Sequence, residues 1–377
     1  MNNKRKIQLI KKGLLFWLSR KIDYPLIPPD CIQINFTFRC NLRCKMCSMH
    51  DLSRSFKSRN KPYELNIAVM ENLIREAGEM GIKSLILIGG EPFLEPKILE
   101  LAAFGKECGM QGITIVTNGT LFTRELIQKI FDYKLDNLNF SVSIDAASEG
   151  SFAKIRGENV LQKIIGNIDL INAMKTKENK PYPNICSVCT IMDQNIEELM
   201  DIVTLCRKIK ISRIILQPVV ANNTDQRIRD SSRPTFIPEE RYKILDSAID
   251  SLVKFKRSSE ANFDFIANSA GNLELMKSYF RGKMRGWKMP CYAGYNRLQV
   301  VQEGKVYFCV EQENSEATFG DVSKDSLKSL WFSKKARDYR GLIRKCRFPC
   351  LQWCSYRDEF IEFAGIFEKE RLFKKRR

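Results

Sequence analysis

Histidine is almost missing from this chain: among 377 residues only His50 carries an imidazole. A zinc or non-haem iron site built on several histidines is therefore excluded. Long apolar runs are missing too, and none approaches the ~18 residues that would cross a bilayer. Residues 1–22, MNNKRKIQLIKKGLLFWLSRKI, lack the continuous apolar core and small-residue cleavage site of a secretory signal. These absences place the chain in the cytoplasm, where thiols stay reduced and a disulfide framework is not expected. Acidic residues are in short supply: 44 Asp and Glu against 62 Lys and Arg leave a formal net charge of +18. Such an excess suits acidic partners (nucleic acid, anionic lipid, an acidic redox protein), and a lysine-rich solvated surface produces it equally well. No DNA- or RNA-binding motif accompanies the charge, so nucleic acid is not expected as a partner. Internal repeats and low-complexity tracts are absent as well.

What remains is a globular composition, 44% hydrophobic and 28% charged, long enough for two or three domains. Residues 1–30 read as a basic amphipathic segment ending in the Pro-rich PLIPPD. From 31 to 220, short apolar runs alternate with longer amphipathic ones. The runs at 32–38, 84–90, 112–118, 137–143, 185–191 and 213–219 are candidate strands, with helical periodicity between them, as at 67–80 and 196–209. Strands separated by helices imply βαβ units and a parallel sheet, with loops at the strand C-termini forming a site. Residues 221–290 begin with a polar stretch and read as a linker or insertion with one helix near 238–257. Residues 291–354 form a second, cysteine-rich unit, and 355–377 a basic tail.

Thirteen cysteines are present. Cys40, Cys44 and Cys47 follow the first strand with the spacing C-x3-C-x2-C. Three thiolates on one tight loop can hold three irons of a [4Fe–4S] cube and leave the fourth open, where an electron-transfer cluster would be closed by a fourth cysteine. A zinc site completed by a distant ligand is the alternative, although zinc sites usually draw on paired C-x2-4-C units. Cys31, Cys108, Cys186, Cys189 and Cys206 lie within strand or helix patterns and read as small buried hydrophobes. Cys186 and Cys189 point to opposite faces of one strand, which argues against a shared ion.

The order of motifs at successive strand ends resembles the radical S-adenosylmethionine (SAM) superfamily over residues 31–220. The cluster loop is Cys40, Cys44 and Cys47. A GGEP motif follows the second strand at Gly89, Gly90, Glu91 and Pro92. Thr117 and Asn118, in TNG, end the third, and Ser143 and Asp145 end the fourth. The resemblance implies a partial (β/α)6 open barrel and a [4Fe–4S] cluster on the three cysteines. It also implies SAM gripped through the GGEP region, with Glu91 accepting from its ammonium. Ser143 and Asp145 would face the ribose or carboxylate, Arg156 would bind the carboxylate by its planar fork, and Gln217 would lie near adenine. Met46 stands where relatives often place an aromatic residue; a methionine also packs on an adenine face.

The second cysteine group resembles the SPASM or twitch extension of the same enzymes over 291–354. Cys291 and Cys309 bracket a hairpin-like segment whose turn, 302–305, places Gly304 at a positive-φ position. GDVSKDSLKSLW and then Cys346, Cys350 and Cys354 follow. Five cysteines suit one auxiliary [4Fe–4S] cluster, with Cys291 and Cys309 as ligands and two more from the last three. A zinc site with the same ligands is the alternative.

The implied activity is reductive cleavage of SAM to a 5′-deoxyadenosyl radical, which takes hydrogen from a substrate. That substrate is a peptide or protein side chain, or a small molecule such as a sugar. An external donor such as flavodoxin or ferredoxin supplies the electron. The thirty residues before the barrel leave no room for a separate peptide-recognition domain, and a cobalamin domain is not expected. The rival class is a cysteine-rich zinc or iron–sulfur protein that binds nucleic acid or regulates, and an iron assay separates the two. In 4–21, apolar residues gather on one broad helical face and bases on the other. Such a helix either packs on the barrel or lies peripherally on the inner membrane face.

Overall fold

A computed structural model describes residues 3–49, 53–54, 57, 64–220, 235–258, 265–283, 291–309, 318–345 and 350–352. Six βα units run through the first part. Strands β1 (Cys31–Asn35), β2 (Ser84–Ile88), β3 (Gly112–Thr117), β4 (Leu138–Ser143), β5 (Asn184–Ile191) and β6 (Arg213–Pro218) pair in parallel, each with its chain neighbour. They lie within a few residues of the segments the apolar runs predict.

The helices between them form where apolar residues recur at helical spacing behind a capping side chain. Helix α2 (Ile67–Glu79) starts at Asn66, whose side chain accepts from the Ala68 amide at 2.8 Å, and buries Met70, Leu73, Ile74 and Ala77. Its partner α3 (Ile98–Glu107) packs beside it. Helix α4 (Arg124–Asp132) is capped by Thr123, and α5 (Glu149–Arg156) by Ser148. Then come α6 (Leu161–Lys177) and α7 (Leu199–Lys208). Strand residues alternate: Leu85, Leu87, Ile113 and Ile115 are wholly buried toward the helices, each contributing about 1.5–3 kcal/mol. The alternate positions face the concave side.

Two features depart from the expected division of the chain. The segment expected to be a linker or insertion with one helix contains two packed helices in its described residues, α8 (Tyr242–Arg257) and α9 (Ala270–Phe280). Beside them, Ile266 bridges Ile214 in parallel. Asn268 completes that edge, donating to the Leu216 carbonyl at 2.7 Å and accepting from its amide at 2.8 Å. The polar stretch 221–234 lies outside the described residues. The hairpin, expected in a separate unit, joins the barrel sheet. Strand β7 (Arg297–Val300) pairs in parallel with β1, and β8 (Lys305–Tyr307) and β9 (Gly320–Asp321) continue antiparallel from it. Among the described residues one nine-stranded sheet results, ordered β6-β5-β4-β3-β2-β1-β7-β8-β9 and not closed into a barrel. The turn glycine, Gly304, has φ +76°. Helices α10 (Leu327–Phe332) and α11 (Lys334–Lys345) follow, and Arg340 ties the unit together by donating to the carbonyls of Gly294 at 2.6 Å and Trp331 at 2.8 Å.

The first helix, α1 (Asn3–Ile22), docks through Phe16 against Tyr292 and Tyr295. Among the described residues no helix is long and apolar enough to cross a membrane.

Candidate functional site: a cysteine loop welded to the strand ends

The parallel strands deliver their C-terminal ends to one edge, and the loop carrying Cys40, Cys44 and Cys47 is fastened there from three sides. The second strand's glycines hold it first. Gly90 donates to the Thr37 carbonyl and Glu91 to the Arg39 carbonyl, both at 2.7 Å. A Cβ on Gly90 would lie 2.0 Å from the Arg39 oxygen, and one on Gly89 2.7 Å from the Thr37 oxygen. Only glycines permit this approach. The third strand holds it next: Asn118 Nδ2 donates to Asn41 Oδ1 at 2.8 Å, and Asn41 Nδ2 to Thr120 Oγ1 at 2.9 Å. The end of α5 holds it last. Lys45 donates to the Ile155 carbonyl at 2.9 Å, and a Cβ on Gly157, which turns the chain at φ +83°, would lie 2.9 Å from the Arg43 oxygen. Arg156 reaches Cys44 Sγ at 3.5 Å and forms an ion pair with Asp145.

Glu91, expected to accept from the SAM ammonium, is held within the protein. Its side chain is 0% exposed. One carboxylate oxygen accepts from the Thr117 hydroxyl at 2.7 Å and the Phe93 amide at 3.1 Å, and the other from the Asn118 amide at 2.7 Å. Burial pushes the carboxyl up against the pull of these donors. With its oxygens enclosed and occupied, Glu91 braces GGEP against TNG, and the surfaces left to a ligand are those of the half-buried Gly89 and Gly90. Pro92 is buried at the start of a short 3-10 turn, Pro92–Leu94.

Asp145 is likewise enclosed, 1% exposed, and accepts from the Thr190 amide at 2.7 Å while paired with Arg156. Through that pair it positions Arg156. Burial opposes the Arg156 charge, but Asp145 and then Cys44 outweigh it and hold the guanidinium firmly protonated. Its Nε makes no hydrogen bond. Ser143 and Gln217 end their strands half-buried on the concave face, and Met46 packs half-buried against the core.

The three thiols suit a cluster in type and placement: one loop, one carboxylate neighbour already engaged, and a cation beside Cys44. Burial pushes the Cys40 thiol up to about 11, with Cys44, Glu91 and Cys47 adding to the effect. A bound metal reverses this by holding the thiolate. Among the described residues no three Cys, His, Asp or Glu side chains are gathered at metal-ligating spacing, so the loop presents its sulfurs without drawing them to one point. Cys291 and Cys309 are half-buried and Cys350 buried; Cys346 and Cys354 lie outside the described residues. Gln302 donates to the Thr37 carbonyl at 3.3 Å and Gln352 to the Pro218 carbonyl at 3.1 Å, which brings the hairpin turn and the Cys350 segment to the same strand ends. Cys31, Cys189 and Cys206 are buried, and burial pushes the Cys206 thiol up to about 12; Cys108 and Cys186 are half-buried.

The concave face also carries polar residues that motif reading missed. Gln33, in register with Ile86 and Gln299, accepts from Arg297 at 2.8 Å. Gln299 is 0% exposed, and neither end of its amide has a hydrogen-bond partner. The available signal was polar residues at alternate positions in strands buried on both faces, CIQIN and RLQV.

The chain is 22% identical over 346 residues to a Pyrococcus furiosus tungsten-containing aldehyde ferredoxin oxidoreductase cofactor-modifying protein, covering 89% of this chain and 90% of that one. It is 28% identical over 328 residues to an AdoMet-dependent heme synthase of Methanosarcina barkeri, covering 84% and 87%. The fold is similar to that of Streptococcus suis SuiB bound to precursor peptide SuiA, with a TM-score of 0.64, 17% identity and coverage of 92% and 73%. Residues 291–356 match an iron–sulfur cluster-binding domain, SPASM. Residues 34–246 match the radical SAM superfamily, and the chain, an enzyme with SAM and iron–sulfur clusters as its cofactors, belongs to that superfamily.

Proposed function

We propose that the chain cleaves SAM reductively at the Cys40, Cys44 and Cys47 loop and uses the result to take a hydrogen atom from a substrate on the concave face of the sheet. The observation that carries this reading is the fastening of the cysteine loop to the glycine turn, to Asn118 and to Arg156. When bound, cluster and SAM supply one-electron cleavage of a sulfonium, chemistry that no side chain provides. The protein's residues do the rest. Gly89 and Gly90 leave backbone groups at the strand end, Glu91 and Thr117 keep that turn rigid, and Arg156 offers its guanidinium beside Cys44. Cys291, Cys309 and two of Cys346, Cys350 and Cys354 would hold the auxiliary cluster.

The substrate is read as a molecule with hydrogen-bonding groups. A buried amide with both ends unpartnered costs free energy, and Gln299 retains one toward the concave face. That suits a group presenting a donor and an acceptor side by side, as a peptide amide or a heterocycle edge does. The names of the similar proteins span both sources, a precursor peptide and small cofactors. The excess of positive charge favours an acidic electron donor of flavodoxin or ferredoxin type.

The test is anaerobic reconstitution. The protein should bind about eight irons, as two four-iron clusters. Replacing Cys40, Cys44 and Cys47 together with Ala should halve the iron and abolish 5′-deoxyadenosine formation. Cleavage that survives the triple substitution would overturn the assignment.

A further inference from the structure

The described side chains of the first helix hold it by one face. Phe16, 1% exposed, sits with Tyr292 and Tyr295. On the same side Arg20 Nε donates to the Cys291 carbonyl at 3.1 Å, and Lys12 pairs with Asp30. The opposite face is apolar and exposed: Ile10, Leu14, Trp17, Leu18 and Ile22. At 3.6 residues per turn these five fall in one continuous arc, with the exposed Lys11 and Lys21 set among them. The patch continues past the helix through the exposed Tyr24 and Leu26, and Phe332 joins it with its ring 5.9 Å from Tyr24. Eleven large hydrophobic side chains are exposed among the described residues, and all but Tyr133, Ile244 and Leu342 belong to this patch. Singly exposed apolar residues are ordinary; their gathering on one face marks an interaction surface.

The charge says what kind of partner fits. Helix α1 carries seven Lys and Arg and no Asp or Glu. Lys21 lies 5.4 Å over the Trp17 ring, and Arg337 5.8 Å over Tyr24. Arg344 reaches the same corner through Asp23 at 2.9 Å. An apolar stripe with bases set around it and aromatic rings at its end has the layout of a helix lying in a membrane interface. A second copy of the chain would bring two basic helices together, and like charges oppose that.

We propose that this face seats on an anionic phospholipid surface, α1 lying in the interface plane while Phe16 keeps the helix fixed to the SPASM unit. Docking on the protein and contact with lipid are thus properties of opposite faces of one helix, and the catalytic sheet is held at a set orientation to the membrane.

Co-sedimentation of the full-length protein with vesicles tests this. The protein should pellet with phosphatidylcholine vesicles containing phosphatidylglycerol, remain in the supernatant with phosphatidylcholine alone, and be released by salt. Leu14→Glu and Trp17→Glu should each weaken binding by about tenfold or more, with an unchanged melting temperature because both side chains are exposed. Should either disturb folding, the double substitution Lys11→Glu/Lys21→Glu on the same face reads the same loss. Lys243→Glu/Lys254→Glu, on α8, should bind as the unaltered protein does. The proposal is overturned if the protein stays in the supernatant with anionic vesicles at low salt, or if the α8 variant loses as much binding as the α1 variants. It is also overturned if size measurement shows a dimer that Trp17→Glu dissociates while vesicle binding is absent, or if only a variant lacking 355–377 binds. SAM cleavage in solution should be untouched by Trp17→Glu, so the outcome is independent of the proposed reaction.

Discussion

Replacing Gly90 with alanine probes the joint between cluster loop and sheet most directly. The new Cβ would lie 2.0 Å from the Arg39 oxygen, 2.5 Å from its carbonyl carbon and 2.9 Å from the Phe38 oxygen. All three are backbone atoms, so no side chain can swing aside. Reaching ordinary contact at about 3.5 Å requires the loop to withdraw by roughly 1.5 Å. That breaks two hydrogen bonds, Gly90 to Thr37 and Glu91 to Arg39, each worth about 0.5–1.5 kcal/mol, or else retains them at an overpacking cost of about 1–3 kcal/mol. The loop can peel away while the strands stay paired. The loss should therefore appear mainly as failure to hold iron and to form 5′-deoxyadenosine, with a modest fall in melting temperature. Gly166→Ala is the control: it lies within α6, nothing stands within 4 Å of its added Cβ, and the change should stabilise by about 0.5–1 kcal/mol. A Gly90→Ala protein with unaltered iron content and SAM cleavage would refute the claim that this close approach builds the site.

Three further outcomes follow from buried polar groups. Arg156→Met should cost about 3–5 kcal/mol by leaving the Asp145 carboxylate enclosed and unpaired, and Asp145→Leu added to it should restore much of that in thermal denaturation. Gln299→Leu should raise the melting temperature, by removing an amide without partners, while lowering substrate-dependent turnover and sparing SAM cleavage without substrate; unchanged turnover would take Gln299 out of the substrate site. Glu198 is partly buried, which alone would raise its pKa, but Ser151, Ser148 and the amides of Ala147 and Ser148 outweigh this and hold the carboxyl below its ordinary value. Its stabilisation is therefore complete above the unfolded carboxylate range and is lost as pH falls through the lowered folded value. Melting curves of Glu198→Gln and the unaltered protein should differ at neutral pH and converge in acid; a gap constant with pH would contradict this.

Period-two alternation, glycine and cysteine spacing and helix caps are local signals. They marked six strands to within a few residues, the cysteine loop, the hairpin turn at Gly304 and the amphipathic first helix. A motif of glycines at a strand end was legible because only glycine admits another backbone so closely. What sequence spacing does not carry is the partner of each group across the fold. Glu91 read as a ligand contact because the GGEP resemblance places it by the SAM ammonium, and folding also turns it inward onto Thr117, Asn118 and Phe93. Asp145 likewise became the support of Arg156, a residue eleven positions away in the chain but joined to it by an ion pair. The pairing of β7 with β1 links residues far apart in sequence, and parallel pairing leaves no turn signal to read. Which face of α1 meets protein was also settled only in three dimensions: the helix period is written in the sequence, but Tyr292 and Tyr295, which receive Phe16, reach it only once the sheet has brought the end of the chain back to its beginning.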